Sequence, residues 1–330
     1  LVVGLVAVVR VGFAPWYSSP LLDRAAFVHQ YRHGVYGHRL LGREAVLWLE
    51  RAIGDPLGEH LVLAGRHPLA GGMATAGIVV DLVAAAAIAL LVGHLLDRRS
   101  LPEPARWLVV LTLGVLVALS ATAVTPYDLP ALALALGALV ATDARRPLDL
   151  GSIPLLVAAV ATRESALVAV AALVARWWCE RDGGAAPRRS RPSFVAAFAA
   201  AGVATYLVLL AATDDGALWA QLALRGNVGR LYGWFGLAAM VGGWCLWRRA
   251  MVLAGLDGHG ARREVRWMWL LASPYVVVAL LTGYWFEVRL LLPMLVAELW
   301  VRAGAAPVAP VPPAGSGAGR DGAPELEAHG

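Results

Sequence analysis

The sequence predicts an all-α fold, a polytopic transmembrane helical bundle of about ten hydrophobic segments with an external loop of interfacial amphipathic helices. Composition, the length of the apolar blocks and the distribution of arginine predict it. Apolar residues make up 59% of the 330 residues and charged residues only 15%. Mean hydropathy is +0.65, and ordinary soluble domains carry about 25% charged residues. A water-soluble fold has no place for that excess. Blocks such as Ala76 to Leu96, Trp107 to Val124 and Phe194 to Ala212 are long enough to cross a hydrocarbon core about 30 Å thick.

All 28 basic residues are arginine, a compositional bias whose positions carry the information. They cluster in the short connections Asp97 to Arg106, Asp143 to Pro147, Arg176 to Arg191 and Arg248 to Arg266. Cytoplasmic loops are the ones enriched in Arg, so these four clusters are expected to face the cytoplasm. Between them the chain turns outside at Thr125 to Asp128, at Thr162 to Ser165 and from Thr213 through Arg230, with a last outer break at Gly283 to Arg289. Gly71 to Leu96 then starts outside, and Leu1 to Phe13 brings the chain there, which leaves both termini cytoplasmic. Leu1 to Phe13 has the length of a signal-peptide core, but Arg10 interrupts it and no small-residue cleavage site follows. The membrane domain is expected to occupy residues 1–302. Residues 303–330, rich in Pro, Gly and Ala, are expected to form a disordered cytoplasmic tail. No basic run is interleaved with aromatics as a nucleic-acid groove requires, so no nucleic acid is expected.

Two regions depart from the plain membrane pattern. The external loop, residues 16–69, holds five of the eight histidines (His29, His33, His38, His60, His67) and six arginines (Arg24, Arg32, Arg39, Arg43, Arg51, Arg66). Within it, Leu22 to Tyr36 and Arg39 to Ile53 have helical composition. In the second, Leu40, Leu41, Ala45, Leu47, Trp48 and Ala52 offer an apolar side against Arg39, Arg43, Glu44, Glu50 and Arg51, the pattern of helices lying in a membrane interface. Such helices serve a site or only cap the bundle and bind membrane lipids through phosphate. His29 and His33, four residues apart, share a helix face, but no Glu lies between them and no third ligand is indicated. Neither metal nor cofactor is expected. Cys179 and Cys245 are too few and too isolated for a disulfide framework.

The second region is an intramembrane hairpin, residues 152–178. Ile153 to Thr162 gives roughly 15 Å of helix against a core of about 30 Å, so the turn holding Arg163 and Glu164 is expected to stop inside the membrane. Ionisable residues at that depth are retained chiefly where they do something. The same argument reaches Glu287 and Arg289 before the last span, and Asp81 within an earlier one. The bland alternative is that Arg163 and Glu164 pair with Glu287 and Arg289 to hold helices together.

An acid after the first span is followed by Tyr36-Gly37-His38-Arg39-Leu40-Leu41, by Tyr127-Asp128 at an outer turn, by Thr162-Arg163-Glu164-Ser165 and by Glu287-Val288-Arg289-Leu290-Leu291-Leu292-Pro293. This order resembles bacterial membrane glycosyltransferases of the GT-C superfamily, over the chain from Leu1 to about Val301. The resemblance implies transfer of a sugar from a polyprenyl-phosphate donor to a glycan or lipid acceptor on the outer face of the cytoplasmic membrane. It also implies a catalytic acid in the first external loop, where Asp23 is the match. The family often shows two acids there, whereas Arg24 follows Asp23 here, which speaks against a metal site or a paired-carboxylate mechanism. Inverting transfer needs a base for the acceptor hydroxyl and cations for the departing phosphate. Asp23 is the candidate base. Arg39, Arg163 and Arg289 are the candidate phosphate ligands, because the guanidinium fork binds phosphate bidentately. Asp128, Glu164 and Glu287 are candidates to orient acceptor hydroxyls or the arginines. The rival readings are a transporter or flippase for a lipid-linked or anionic substrate, and a noncatalytic scaffold.

Overall fold

The computed structural model describes residues 1–12, 24–32, 37, 39–53, 62–63, 67–68, 72–99, 101–120, 127–143, 151–182, 191–213, 223–283 and 287–304. Among these the chain is helical apart from one small ladder. The first helices are α1 (Val2–Gly12), α2 (Arg24–Arg32) and α3 (Leu40–Ile53). Strands β1 (Val62–Leu63) and β2 (His67–Pro68) pair antiparallel, with Leu63 opposite His67. There follow α4 (Gly72–Asp97), α5 (Glu103–Ser120), α6 (Asp128–Thr142), α7 (Ser152–Thr162), a 3-10 turn at Glu164–Leu167, and α8 (Val168–Asp182). The last part comprises α9 (Pro192–Ala212), α10 (Leu224–Val228), α11 (Leu231–Leu253), α12 (His259–Leu271), α13 (Ser273–Thr282), a 3-10 turn at Val288–Leu290, and α14 (Leu292–Gly304). The tail expected at 303–330 lies outside the described residues from position 305 on, and α14 itself runs through Gly304.

Three helices are long and apolar enough to cross a membrane: Thr75–Asp97 within α4, Glu103–Ser120 and Pro192–Ala212. They overlap the three blocks singled out in the sequence, the end of the second, positions 121–124, lying outside the described residues. A fourth candidate is the pair α12 and α13, bent by 53° at its break. Of the remaining segments that bring the expected number to about ten, α11 has 23 residues and the length to span but is not apolar enough to count with the first three, and others are too short. At about 1.5 Å per residue, α6 and α8, with 15 residues each, are about 22 Å long. The 11 residues of α7 reach about 16 Å, so none of the three equals a hydrocarbon core of about 30 Å.

Local chemistry sets the ends. Pro192 opens α9 and Pro274 sits in the first turn of α13, positions where the missing N–H is not needed. After α11 the chain turns through Gly255 at φ +70°. Leu256 N–H donates to the Met251 carbonyl at 2.9 Å and Gly255 N–H to Val252 at 3.0 Å. That is the paired C-terminal closure which needs a left-handed residue, and glycine adopts it without a Cβ clash.

The centre of the bundle is α6, α7, α8 and α14, with α4, α9 and α12 packed against it, while α1 lies on α4 and α5, and α11 lies on α5. On α14 every residue from Met294 to Arg302 is buried, the signature of a helix enclosed on all faces. The flanking helices instead present apolar side chains outward, such as Leu207 and Val208 on α9 and Leu231 and Phe235 on α11. Water does not tolerate a surface of that kind and extent, whereas lipid does. Asp81 in α4 is buried and ion-paired with Arg10 of α1, so this acid joins two helices.

The arginine-rich connections meet at one end of the bundle. Arg176 of α8 donates to Asp143 at 2.6 Å and to the Trp300 carbonyl at 2.7 Å, while Arg99 donates to the Arg302 carbonyl at 2.5 Å. Cations thus sit on the last carbonyls of α14, where the helix dipole favours them. Arg302, fully buried, bonds Glu298 at 2.7 Å and Asp257 at 2.5 Å. Arg262 reaches the same Asp257 at 2.9 Å. Burial alone would raise the Asp257 carboxyl, but Arg302, Arg248 and Arg262 outweigh it and hold the group below its ordinary value of 3.8. A depressed acid adds stability that is complete above its unfolded pKa and fades as the pH falls through the folded one. Thermal unfolding of the detergent-purified chain is therefore expected to weaken as the pH drops below about 4. Asp257→Asn is expected to be less stable at neutral pH and to show a flatter acid limb, and an unchanged acid limb would remove Asp257 from this role.

Candidate functional site

At the opposite end of α6, residues far apart in the chain meet in one buried ionic network. Asp128 opens α6 and accepts from two cations, Arg163 in its ion pair and Arg289 Nη1 at 3.0 Å. Arg289 donates through Nη2 to Glu287 at 2.6 Å. Arg39, just before α3, grips Glu164 with two bonds, Nε to Oε2 at 3.0 Å and Nη2 to Oε1 at 2.5 Å. Its guanidinium also lies 4.6 Å from the centre of the Tyr127 ring, with that of Arg163 at 5.6 Å from the same ring, a geometry in which the aromatic face attracts the cation. Arg39, Arg163 and Asp128 are buried, Arg289 and Glu287 nearly so, and the Glu164 side chain is the most open at 27%.

Each element contributes for a local reason. Arg163 interrupts α7 with extended backbone, φ −163° and ψ 135°, so it and Glu164 project apart, as adjacent residues do. The ion pairs differ from those of the structural alternative, which joined Arg163 and Glu164 to Glu287 and Arg289. Glu164 pairs with Arg39 and Arg163 with Asp128. The carboxylate that joins the hairpin to Arg289 is Asp128.

The placing of Arg39 depends on α3 lying close to Tyr127. Gly42 makes that approach possible, since a Cβ there would meet the Tyr127 Cβ at 2.8 Å. Beneath it, Phe27, Val46, Leu47, Met73, Ala76 and Tyr127 form a small core that ties α2 and α3 to α4. The apolar side expected of α3 splits accordingly. Leu47 packs inward together with Gly42 and Val46, while Leu41 and Trp48 face outward, as expected of a helix lying in an interface.

The structure thus brings together Arg39, Arg163, Arg289, Asp128, Glu164 and Glu287, six of the seven residues singled out by sequence. The seventh, Asp23, lies outside the described residues, as do His33, His38 and His60. Arg24, which follows Asp23, pairs with Glu50 at 3.0 Å. Two residues of the network were missed. Tyr127 was read only as part of a turn, although an aromatic directly before a buried Asp was the available signal. Tyr275, whose hydroxyl donates to the Leu290 carbonyl at 2.8 Å, anchors the turn carrying Arg289, and nothing in its apolar surroundings marked it. Among the described residues no three His, Cys, Asp or Glu side chains are disposed to share a metal ion.

No family model matches the chain, and no curated protein or solved structure is significantly similar to it. The chemistry of the site therefore rests on its own geometry.

Proposed function

We propose that the chain is a membrane glycosyltransferase of the GT-C type, moving a sugar from a polyprenyl-phosphate donor to a glycan or lipid acceptor on the outer face of the cytoplasmic membrane. It is a multi-pass protein with both termini inside. The observation that carries this reading is the convergence of three arginines from distant parts of the sequence on one buried cluster with an acid held at each. A guanidinium fork is the side chain best shaped for phosphate oxygens. Arg289 holds Asp128 and Glu287 through different nitrogens, so a phosphate entering the site exchanges for one of these acids while the other keeps the guanidinium in place. The 15, 11 and 15 residues of α6, α7 and α8, about 16–22 Å of helix against a core of about 30 Å, support a position for the cluster within the membrane. A lipid-linked phosphate enters at such a depth from the outer leaflet.

In the proposed reaction the acceptor oxygen attacks the anomeric carbon from the face opposite the phosphate. The Asp23 carboxylate takes the hydroxyl proton, the anomeric C–O bond breaks, and its electron pair leaves on the polyprenyl phosphate, whose charge the arginines balance. Asp128, Glu164 and Glu287 keep the guanidiniums oriented until the phosphate arrives.

The test is a transfer assay on purified protein with a panel of polyprenyl-phosphate sugars, scored separately for donor retention. Arg39→Lys, Arg163→Lys and Arg289→Lys are each expected to weaken donor binding about 10- to 100-fold, the equivalent of one lost charge-assisted hydrogen bond. Unchanged donor binding in all three would overturn the phosphate assignment. Retention of a lipid-linked sugar without any transfer would instead favour a flippase or transporter.

A further inference from the structure

Far from the ionic network, at the arginine-rich end, α12 carries a second anion-directed surface. Ala261, Val265 and Met268 are buried, against α8 and α14, and set the inward face of this amphipathic helix. Arg262, Arg263 and Arg266 lie on the outward one, exposed. Together with His259 and Gly260 at the helix start they line an open concavity of about 520 Å³. Asp257 is engaged by Arg302 and Arg262, and Glu264 lies against Arg176. The helix itself carries three arginines against one acid, so its balance is cationic, and the helix start adds its own positive end.

Side-chain character then changes along the helix in one direction. After the arginines come Trp267 and Trp269. Trp267 packs 6.0 Å from Trp178, which is itself capped by Arg181. Next is Leu270, 60% exposed. Finally α13 follows across the 53° bend, apolar and with none of its residues buried. Basic, then tryptophan, then bare aliphatic is the order met on passing from lipid headgroups through the interface into acyl chains.

We propose that the Arg262, Arg263 and Arg266 face of α12 binds the phosphate headgroups of anionic phospholipids, whose acyl chains lie along the apolar surface of Leu270, Leu271 and α13. This site rests on the membrane assignment and not on the glycosyl-transfer chemistry. The continuous apolar track below the arginines favours a lipid over a free phosphate.

The experiment uses the full chain in nonionic detergent, titrated with phosphatidylglycerol, phosphatidylcholine or inorganic phosphate. Native mass spectrometry counts the retained lipids. Saturable binding is expected for phosphatidylglycerol alone. Each arginine near an anionic surface contributes about fivefold in affinity, so the double variant Arg263→Gln with Arg266→Gln is expected to bind about 25-fold more weakly. The Lys pair at the same positions is expected to keep most of the affinity, and glutamines at Arg225 and Arg230, exposed near the other end, are expected to change nothing. Equal lipid retention by the Gln pair would overturn the proposal. So would an equal response to inorganic phosphate, which would mark a soluble-anion site. Carbonate extraction of membranes scores the membrane assignment on its own, so failure of that assignment is distinguished from failure of the site.

Discussion

Asp128→Asn is expected to destabilise the folded chain by about 3–5 kcal/mol, the usual cost of removing one partner from a buried ion pair. Asp128 is the acid that both Arg163 and Arg289 share. Arg289 retains Glu287, but Arg163 loses its directly paired carboxylate while its guanidinium stays 7% exposed. Because the asparagine keeps the shape, the loss isolates charge from packing. Thermal unfolding in detergent measures it. Removing the pair together, Asp128→Leu with Arg163→Met, is expected to recover most of the stability, since apolar replacement of a buried pair of similar volume is often neutral or favourable. The double variant is expected to remain inactive in sugar transfer. Full activity there would show the pair to be structural only. Failure of Asp128→Asn to lower the unfolding temperature would show that the remaining acids hold Arg163 without it.

Asp23→Asn is expected to lower the rate of sugar transfer by about 10²- to 10⁴-fold, the usual contribution of a general base. Asparagine keeps the outline of the side chain and loses its basicity, so donor binding through Arg39, Arg163 and Arg289 is expected to survive. The arginine variants should fail in the opposite way, in binding before chemistry. The comparison therefore separates the two roles within one assay. Transfer by Asp23→Asn at the unmodified rate would move the base elsewhere, with Asp128, Asp214 and Asp215 next in line.

Much of this protein was legible in its residues. Low charge and blocks such as Ala76 to Leu96 point to an all-helical chain, since unpaired backbone in hydrocarbon leaves few other solutions, and among the described residues three helices are long and apolar enough to cross a membrane. Arg163 and Glu164 stood out in a short apolar hairpin because charges inside apolar segments are rare, and both belong to the buried ionic network. The arginine clusters foretold a shared end, where Arg99, Arg176 and Arg302 do converge.

Partnership was another matter. Sequence spacing sets which residues share a helix face, but Asp128 and Arg163 meet 35 positions apart only because α6 and α7 pack side by side. Arg39 reaches Glu164 across 125 positions because Gly42 lets α3 lie on Tyr127. Hydropathy likewise marks a segment as apolar without saying whether lipid or protein surrounds it. The short α6, α7 and α14 are apolar because they are enclosed by other helices, and α9 is apolar because its outer face is not. Composition along the chain therefore determined the helical class of fold, which helices are apolar enough to cross a membrane and the residue types of the ionic network, all properties of single residues or single segments. Which cation meets which acid, and which apolar helix is core, was decided by the packing of helices against one another, since ion pairs and burial are set by distances that no local pattern contains.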